Sequence, residues 1–208
     1  MTKLIVEINV RAVTALAGRL HGLSGNQLGE AMVLAVNQVM VRTYDIARSR
    51  MTASLNLDDA YVTSRMQLLP ANSSSMPIAK IVARGAVTTL GHYRPRMLLQ
   101  AVKHPGRSKG NSALNIPKGM KPAGLSVSVT KGSAKTLTTG FQIPKFRDSE
   151  GNALVFLRGS NKKIRAAIGP SVYQLFRTQI AQTIDAVADD LESTIVNQAN
   201  ATMQDLLK

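Results

Sequence analysis

The sequence predicts an α+β protein: an N-terminal strand and long amphipathic helices, a central antiparallel β-sheet with long basic loops, and a long C-terminal helix. Three observations predict it. Apolar residues recur at helical spacing near both ends, as on helices with one buried face. Between residues 76 and 168 the period becomes strand-like. Positive charge gathers in that same middle: residues 1–79 carry a net +2, residues 80–165 a net +15 and residues 166–208 a net −3.

Residues 3–9, Lys-Leu-Ile-Val-Glu-Ile-Asn, are β-branched and partly alternating, which predicts a first strand. Val10, Val13, Leu16, Leu20 and Leu23 then recur at helical spacing and predict a short helix ending near His21-Gly22. Ser24 and Asn26 can both cap the next helix, because their side-chain oxygens accept from the first free helical N–H groups. From Gln27 a stripe of Leu28, Met32, Ala35, Val36, Val39, Thr43, Ile46, Ala47 and Arg50 predicts that this helix is long. Glu30, Gln38, Arg42, Asp45 and Arg48 take the other face. Asp58-Asp59 predicts the start of a short helix through Met66, since carboxylates favour the positive end of a helix dipole.

The run Pro70 to Ser75 is a loop by composition. Strands are then predicted at 78–83, 96–102, 125–130, 138–143 and 153–158. Leu125-Ser126-Val127-Ser128-Val129-Thr130 alternates strictly and is the clearest of them. Asp148-Ser149-Glu150-Gly151-Asn152 has the residues of a hairpin turn. Residues 103–124 are basic and rich in Gly and Pro; an ordered course for such a segment would point to partners that clamp it. Gly169-Pro170-Ser171 opens a second long stripe, Phe176, Ile180, Ile184, Val187, Leu191, Ile195, Ala199, Met203 and Leu206. One domain over 1–208 is expected: 1–69 mainly helical, 76–168 β-rich, 170–208 helical.

Composition bounds the function. The chain has 208 residues, enough to bury a core. Aromatics are only 4% and Trp is absent, so the core must be aliphatic, with nine Met filling irregular gaps. No Cys is present, which excludes disulfides and thiolate metal sites. Glu7, Asn9 and Arg11 interrupt the apolar start, so no secretory signal is expected. No apolar run reaches the ~20 residues that span a bilayer, so no membrane partner is expected.

Catalytic patterns are missing from the sequence. His21, His92 and His104 have no second ligand at i+3 or i+4, so no metal is expected. Asp58-Asp59 and Asp189-Asp190 are adjacent pairs, which point apart on a helix and cannot share acid–base work. Gly159-Ser160-Asn161 and Gly132-Ser133-Ala134 are not nucleophile elbows. Gly106-Arg107-Ser108-Lys109-Gly110 lacks phosphate-loop spacing. No enzyme and no cofactor are expected. The basic middle seeks a polyanion or an acidic protein surface. Only Tyr93, Phe141, Phe146 and Phe156 interleave with its charges, a weak signal for base stacking. Candidate contacts to partner or DNA are Arg94, Arg96, Arg107, Lys109, Lys118, Lys121, Lys162 and Lys163, chosen for charge and exposure.

The order of elements carries a resemblance. A long helix holding Ala35-Val36-Asn37 is followed by Val62-Thr63-Ser64-Arg65, the segment 79–85 (Ala-Lys-Ile-Val-Ala-Arg-Gly), a basic β-rich middle, and the join from Phe156 to Gly169-Pro170-Ser171. Over residues 28–205 this layout resembles the minor tail protein Z family of lambda-like phages and, more broadly, the tail-completion and head–tail joining proteins of tailed phages. The basic run is diluted by Ser, Thr and Gly relative to that family. The resemblance implies a virion structural protein of the tail or neck, assembled in the bacterial host cytoplasm. It implies partners in the tail terminator and the head–tail connector, a homo-oligomeric ring that is commonly a hexamer, and genomic DNA in the channel. The runner-up reading is a free, sequence-independent nucleic-acid-binding protein.

Overall fold

The computed structural model describes residues 3–7, 25–107, 109–159, 161 and 163–178, with 197 and 201 as isolated positions. The expected helix over 10–23 lies outside them. The chain divides into two compact units: residues 1–51, 59–86 and 172–208 form one, and residues 52–58 and 87–171 the other.

In the first unit, β1 (Lys3–Glu7), β2 (Met66–Leu69) and β3 (Lys80–Arg84) make an antiparallel sheet in the order β1-β3-β2. β3 is its middle strand, and Ile81, Val82 and Ala83 are all buried, as a strand covered on both faces requires. The long helix α1 spans Gly25–Ser54 and the short helix α2 spans Asp59–Arg65, with Asp59 in its first turn. The buried stripe of α1 is Ala31, Ala35, Val36, Val39, Met40, Thr43, Ala47 and Met51. It is turned from the expected stripe: Met40 and Met51 enter the core, while Met32, Ile46 and Arg50 are only half-buried. Thr43 is tolerated there because its hydroxyl donates to the Val39 carbonyl (2.8 Å). Asn37 has a structural role. Its amide nitrogen donates to the Ala71 carbonyl (2.9 Å) and its oxygen accepts from the Ala71 N–H (2.7 Å), tying the 70–77 loop to α1.

The second unit corrects the expected central sheet. Its strands are divided among three small sheets: β5-β6-β7 (Arg96–Ala101, Met120–Val127, Lys135–Leu137), β8-β9-β10 (Gly140–Arg147, Ala153–Arg158, Ile164–Ala166) and a short pair of β4 (Thr88–Thr89) with β11 (Ile168–Gly169). The reason is local. Register shifts between Leu98 and Leu99, opposite Pro122 and Gly124, and again between Gln142 and Arg147, across Pro144. A proline has no N–H for the ladder, and a bulge bends the strand out of a common sheet.

The expected long C-terminal helix is corrected too. Helix is described over 172–178, where Val172 and Phe176 are fully buried, and no long helix follows among the described residues. The rest of that expected stripe lies outside them.

Residues 103–107 and 109–124 are tied by internal backbone pairing. They are the end of the β5–β6 hairpin, closed by Val102 N–H to the Gly119 carbonyl (2.9 Å). Asn111 and Ile116 exchange backbone hydrogen bonds of 2.8 Å each, and 3₁₀ turns at Pro105–Arg107 and Ser112–Leu114 shape the tip. Order here comes from internal backbone pairing, which a count of Gly and Pro cannot register.

Candidate functional site: a basic unit with a cation-lined pocket

The second unit holds fifteen of the twenty-six Lys and Arg residues and three of the twelve acids, a net +12 that leaves +2 for the first unit. The candidate contacts all belong to it and come from different segments. Lys109, Lys118 and Lys121 are exposed on the β5–β6 hairpin, and Arg107 closes its first 3₁₀ turn. Lys163 is exposed in the β9–β10 turn, where its N–H faces the Asn161 side-chain oxygen (3.4 Å). Lys162 lies outside the described residues. Arg94 and Arg96 are brought together in a pocket.

That pocket has a volume of about 270 Å³ and is lined by Asn56, Arg94, Arg96, Ser126, Ser128, Lys131, Gly132 and Ala134. The alternation of β6 builds one wall. Leu125 and Val127 are buried, so Ser126 takes the opposite face, and Ser128 follows just past the end of the strand. Arg96 stands directly opposite Ser126 in the antiparallel register. The turn after β6 brings in Lys131. Its N–H donates to the Ser54 carbonyl (2.9 Å) and its ammonium to the Thr52 carbonyl (2.6 Å). The Ser128 hydroxyl braces that turn against the carbonyls of Thr130 (2.6 Å) and Ser133 (2.9 Å). Asn56 joins through its N–H to the Val129 carbonyl (3.0 Å) and its side-chain amide to the Tyr93 carbonyl (3.1 Å). No pattern in the sequence singles out Lys131; only the turn's pairing with residues 52–56 reveals it.

Arg94 is unusual. It follows the buried 3₁₀ turn Leu90–Tyr93 with φ 50° and ψ 59°, a left-handed conformation that costs a residue with a Cβ about 1–2 kcal/mol. Its N–H donates to the Gly91 carbonyl (3.2 Å), and its guanidinium pairs with the exposed carboxylate of Asp58.

A second polar cluster lies under the β8–β9 hairpin. The Asp148 carboxylate accepts from the N–H groups of Asn152 (2.8 Å) and Glu150 (3.0 Å), from the Thr89 hydroxyl (3.1 Å) and from His92 Nε2 (3.1 Å). With Nε2–H donating, His92 Nδ1 accepts from the Asn152 amide (3.2 Å). Burial pushes the Asp148 carboxyl up, but the two amides, the hydroxyl and the imidazole outweigh it and hold it below the ordinary carboxylate value. This cluster fixes the hairpin turn.

The aromatics interleaved with the charges are largely committed to packing. Tyr93 is fully buried, and its hydroxyl donates to the Pro170 carbonyl (2.9 Å). Phe156 packs against both Phe141 (5.9 Å) and Phe146 (5.8 Å), leaving Phe146 half exposed. Among the described residues no helix is long and apolar enough to cross a membrane, and no three His, Asp or Glu side chains could jointly hold a metal ion. Comparison with family models, curated proteins and solved structures finds no match in any of the three.

Proposed function

We propose that this chain is a structural protein of a tailed-phage particle, of the tail-completion or neck type at the head–tail junction. It works as a ring whose basic units face DNA in the channel or acidic neighbouring proteins. The observation that carries the reading is the partition of charge: one compact unit takes a net +12 and presents Lys109, Lys118, Lys121 and Lys163 to solvent. A surface of one sign on a folded unit is a contact surface for the opposite sign. The layout resemblance to tail-completion proteins supplies the particle, and heterologous contacts that close on themselves supply the ring.

Two measurements test it. Mass spectrometry of purified particles should find the chain, and deleting its gene should leave filled heads and unattached tails; intact particles without it would end the reading. Replacing Arg107, Lys109, Lys118 and Lys121 together by Ala should weaken assembly while the monomer keeps its thermal transition. Loss of that transition would make the hairpin tip a folding element instead of a contact.

A further inference from the structure

We propose that the pocket of Arg94, Arg96, Lys131, Ser126, Ser128 and Asn56 is a phosphate site that takes a backbone phosphodiester of nucleic acid. It shares with the proposed function only the premise that the basic unit faces a polyanion. A chain absent from phage particles could still carry it.

The case is built from the side chains. Three cations from two segments, Arg94 and Arg96 at the start of β5 and Lys131 in the turn after β6, line a pocket of about 270 Å³. Among the described residues only one carboxylate, Asp58, answers them, and neither Arg96 nor Lys131 has an ion-pair partner. Like charges gathered in this way repel one another, and an anion between them relieves that repulsion. Two of the cations are also anchored: Arg94 by Asp58 and, through its backbone N–H, by the Gly91 carbonyl, and Lys131 by the carbonyls of Ser54 and Thr52. Anchoring lowers the ordering cost of binding.

Arg94 supplies an independent argument. Glycine would occupy its left-handed position without penalty, yet an arginine stands there, before Pro95. Its exposed pair with Asp58 returns too little to explain this, since such pairs contribute about 0–1 kcal/mol. Strain kept at a charged residue facing a pocket indicates use of the charge.

The donor set favours phosphate over carboxylate. A planar carboxylate is satisfied by one guanidinium fork, whereas this pocket is lined by two guanidinium groups, an ammonium and a Ser126 hydroxyl with no partner among the described residues. A unit of net +12 would then hold further phosphates along its surface by charge alone.

The test uses the full-length, nitrogen-labelled chain and three probes at one ionic strength: inorganic phosphate, a short mixed-sequence DNA duplex and a glutamate-rich peptide. Phosphate and duplex should each shift the amides of Asn56, Ser126, Lys131 and Gly132 saturably. Arg96→Ala with Lys131→Ala should lower duplex affinity about tenfold and make its salt dependence shallower by about one phosphate's worth. Arg94→Gly should weaken duplex binding while leaving the thermal midpoint unchanged or raised, so lost binding is separated from lost fold. Absence of saturable shifts at those amides overturns the site. So does a glutamate peptide that binds there more tightly than the duplex, or an Arg94→Gly chain that binds the duplex as well as wild type.

Discussion

At the scale of single residues, Asp148 shows how a turn reads as chemistry and acts as structure. A carboxylate beside a histidine in a buried setting resembles half of a catalytic pair. Here its side chain is only 11% exposed, and its acceptor positions are filled by two backbone amides, a hydroxyl and the imidazole. The sign of its linkage comes from its depressed pKa. The stabilisation is complete above the ordinary unfolded value, about 4, and is lost as pH falls through the lower folded value. Asp148→Asn should therefore cost about 1–3 kcal/mol at neutral pH. It should also flatten the acid limb of the stability curve below about pH 4. Urea unfolding of both chains across a pH series checks this; parallel acid limbs would rule out Asp148 as the titrating group.

At the scale of elements, the decisive piece is β6. Its alternation was legible over Leu125 to Val127, where it separates buried Leu125 and Val127 from Ser126; the expected strand ran on to Thr130, but β6 ends at Val127 because the chain turns there to pair with residues 54–56. Two further things were not legible. The strand begins five residues earlier, at Met120, because cross-strand pairing with β5 overrides the poor propensity of Pro122 and Gly124. The single expected sheet breaks into three because register shifts depend on tertiary pairing, which the alternation pattern does not encode. Arg94, Arg96, Lys109, Lys118, Lys121 and Lys163 are exposed, as their charge suggested, whereas the pocket that unites Arg94 and Arg96 with Lys131 required the turn's pairing with residues 52–56. Gly124 locks this element. Its φ is +121°, and a Cβ there would lie 2.5 Å from the Leu137 carbonyl oxygen of β7. At Gly132, φ is +80° and a Cβ would meet nothing within 4 Å. Gly124→Ala should thus destabilise by about 2–4 kcal/mol, against about 1 kcal/mol for Gly132→Ala. Equal losses in thermal unfolding would mean that backbone strain alone matters and the close approach of β7 does not.

At the scale of the whole molecule, the chain pairs a unit of net +2 with a unit of net +12. Self-repulsion rises with net charge and is screened over about 10 Å at 0.1 M salt. The two units should therefore answer ionic strength differently. Raising sodium chloride from about 0.01 to 0.15 M shortens the screening length from about 30 to about 8 Å, which removes most of the repulsion between exposed lysines on different strands. Amide protection should then rise in β5, β6, β8 and β9, while β2, β3 and the buried turns of α1 change little. Phosphate at the same ionic strength should protect β6 and the 128–133 turn beyond what chloride achieves, because it fills the pocket as well as screening. Hydrogen exchange read strand by strand measures both effects. A uniform response across the two units would show that the charge partition has no energetic consequence for the folded chain, and it would remove the premise on which a polyanion-facing unit rests.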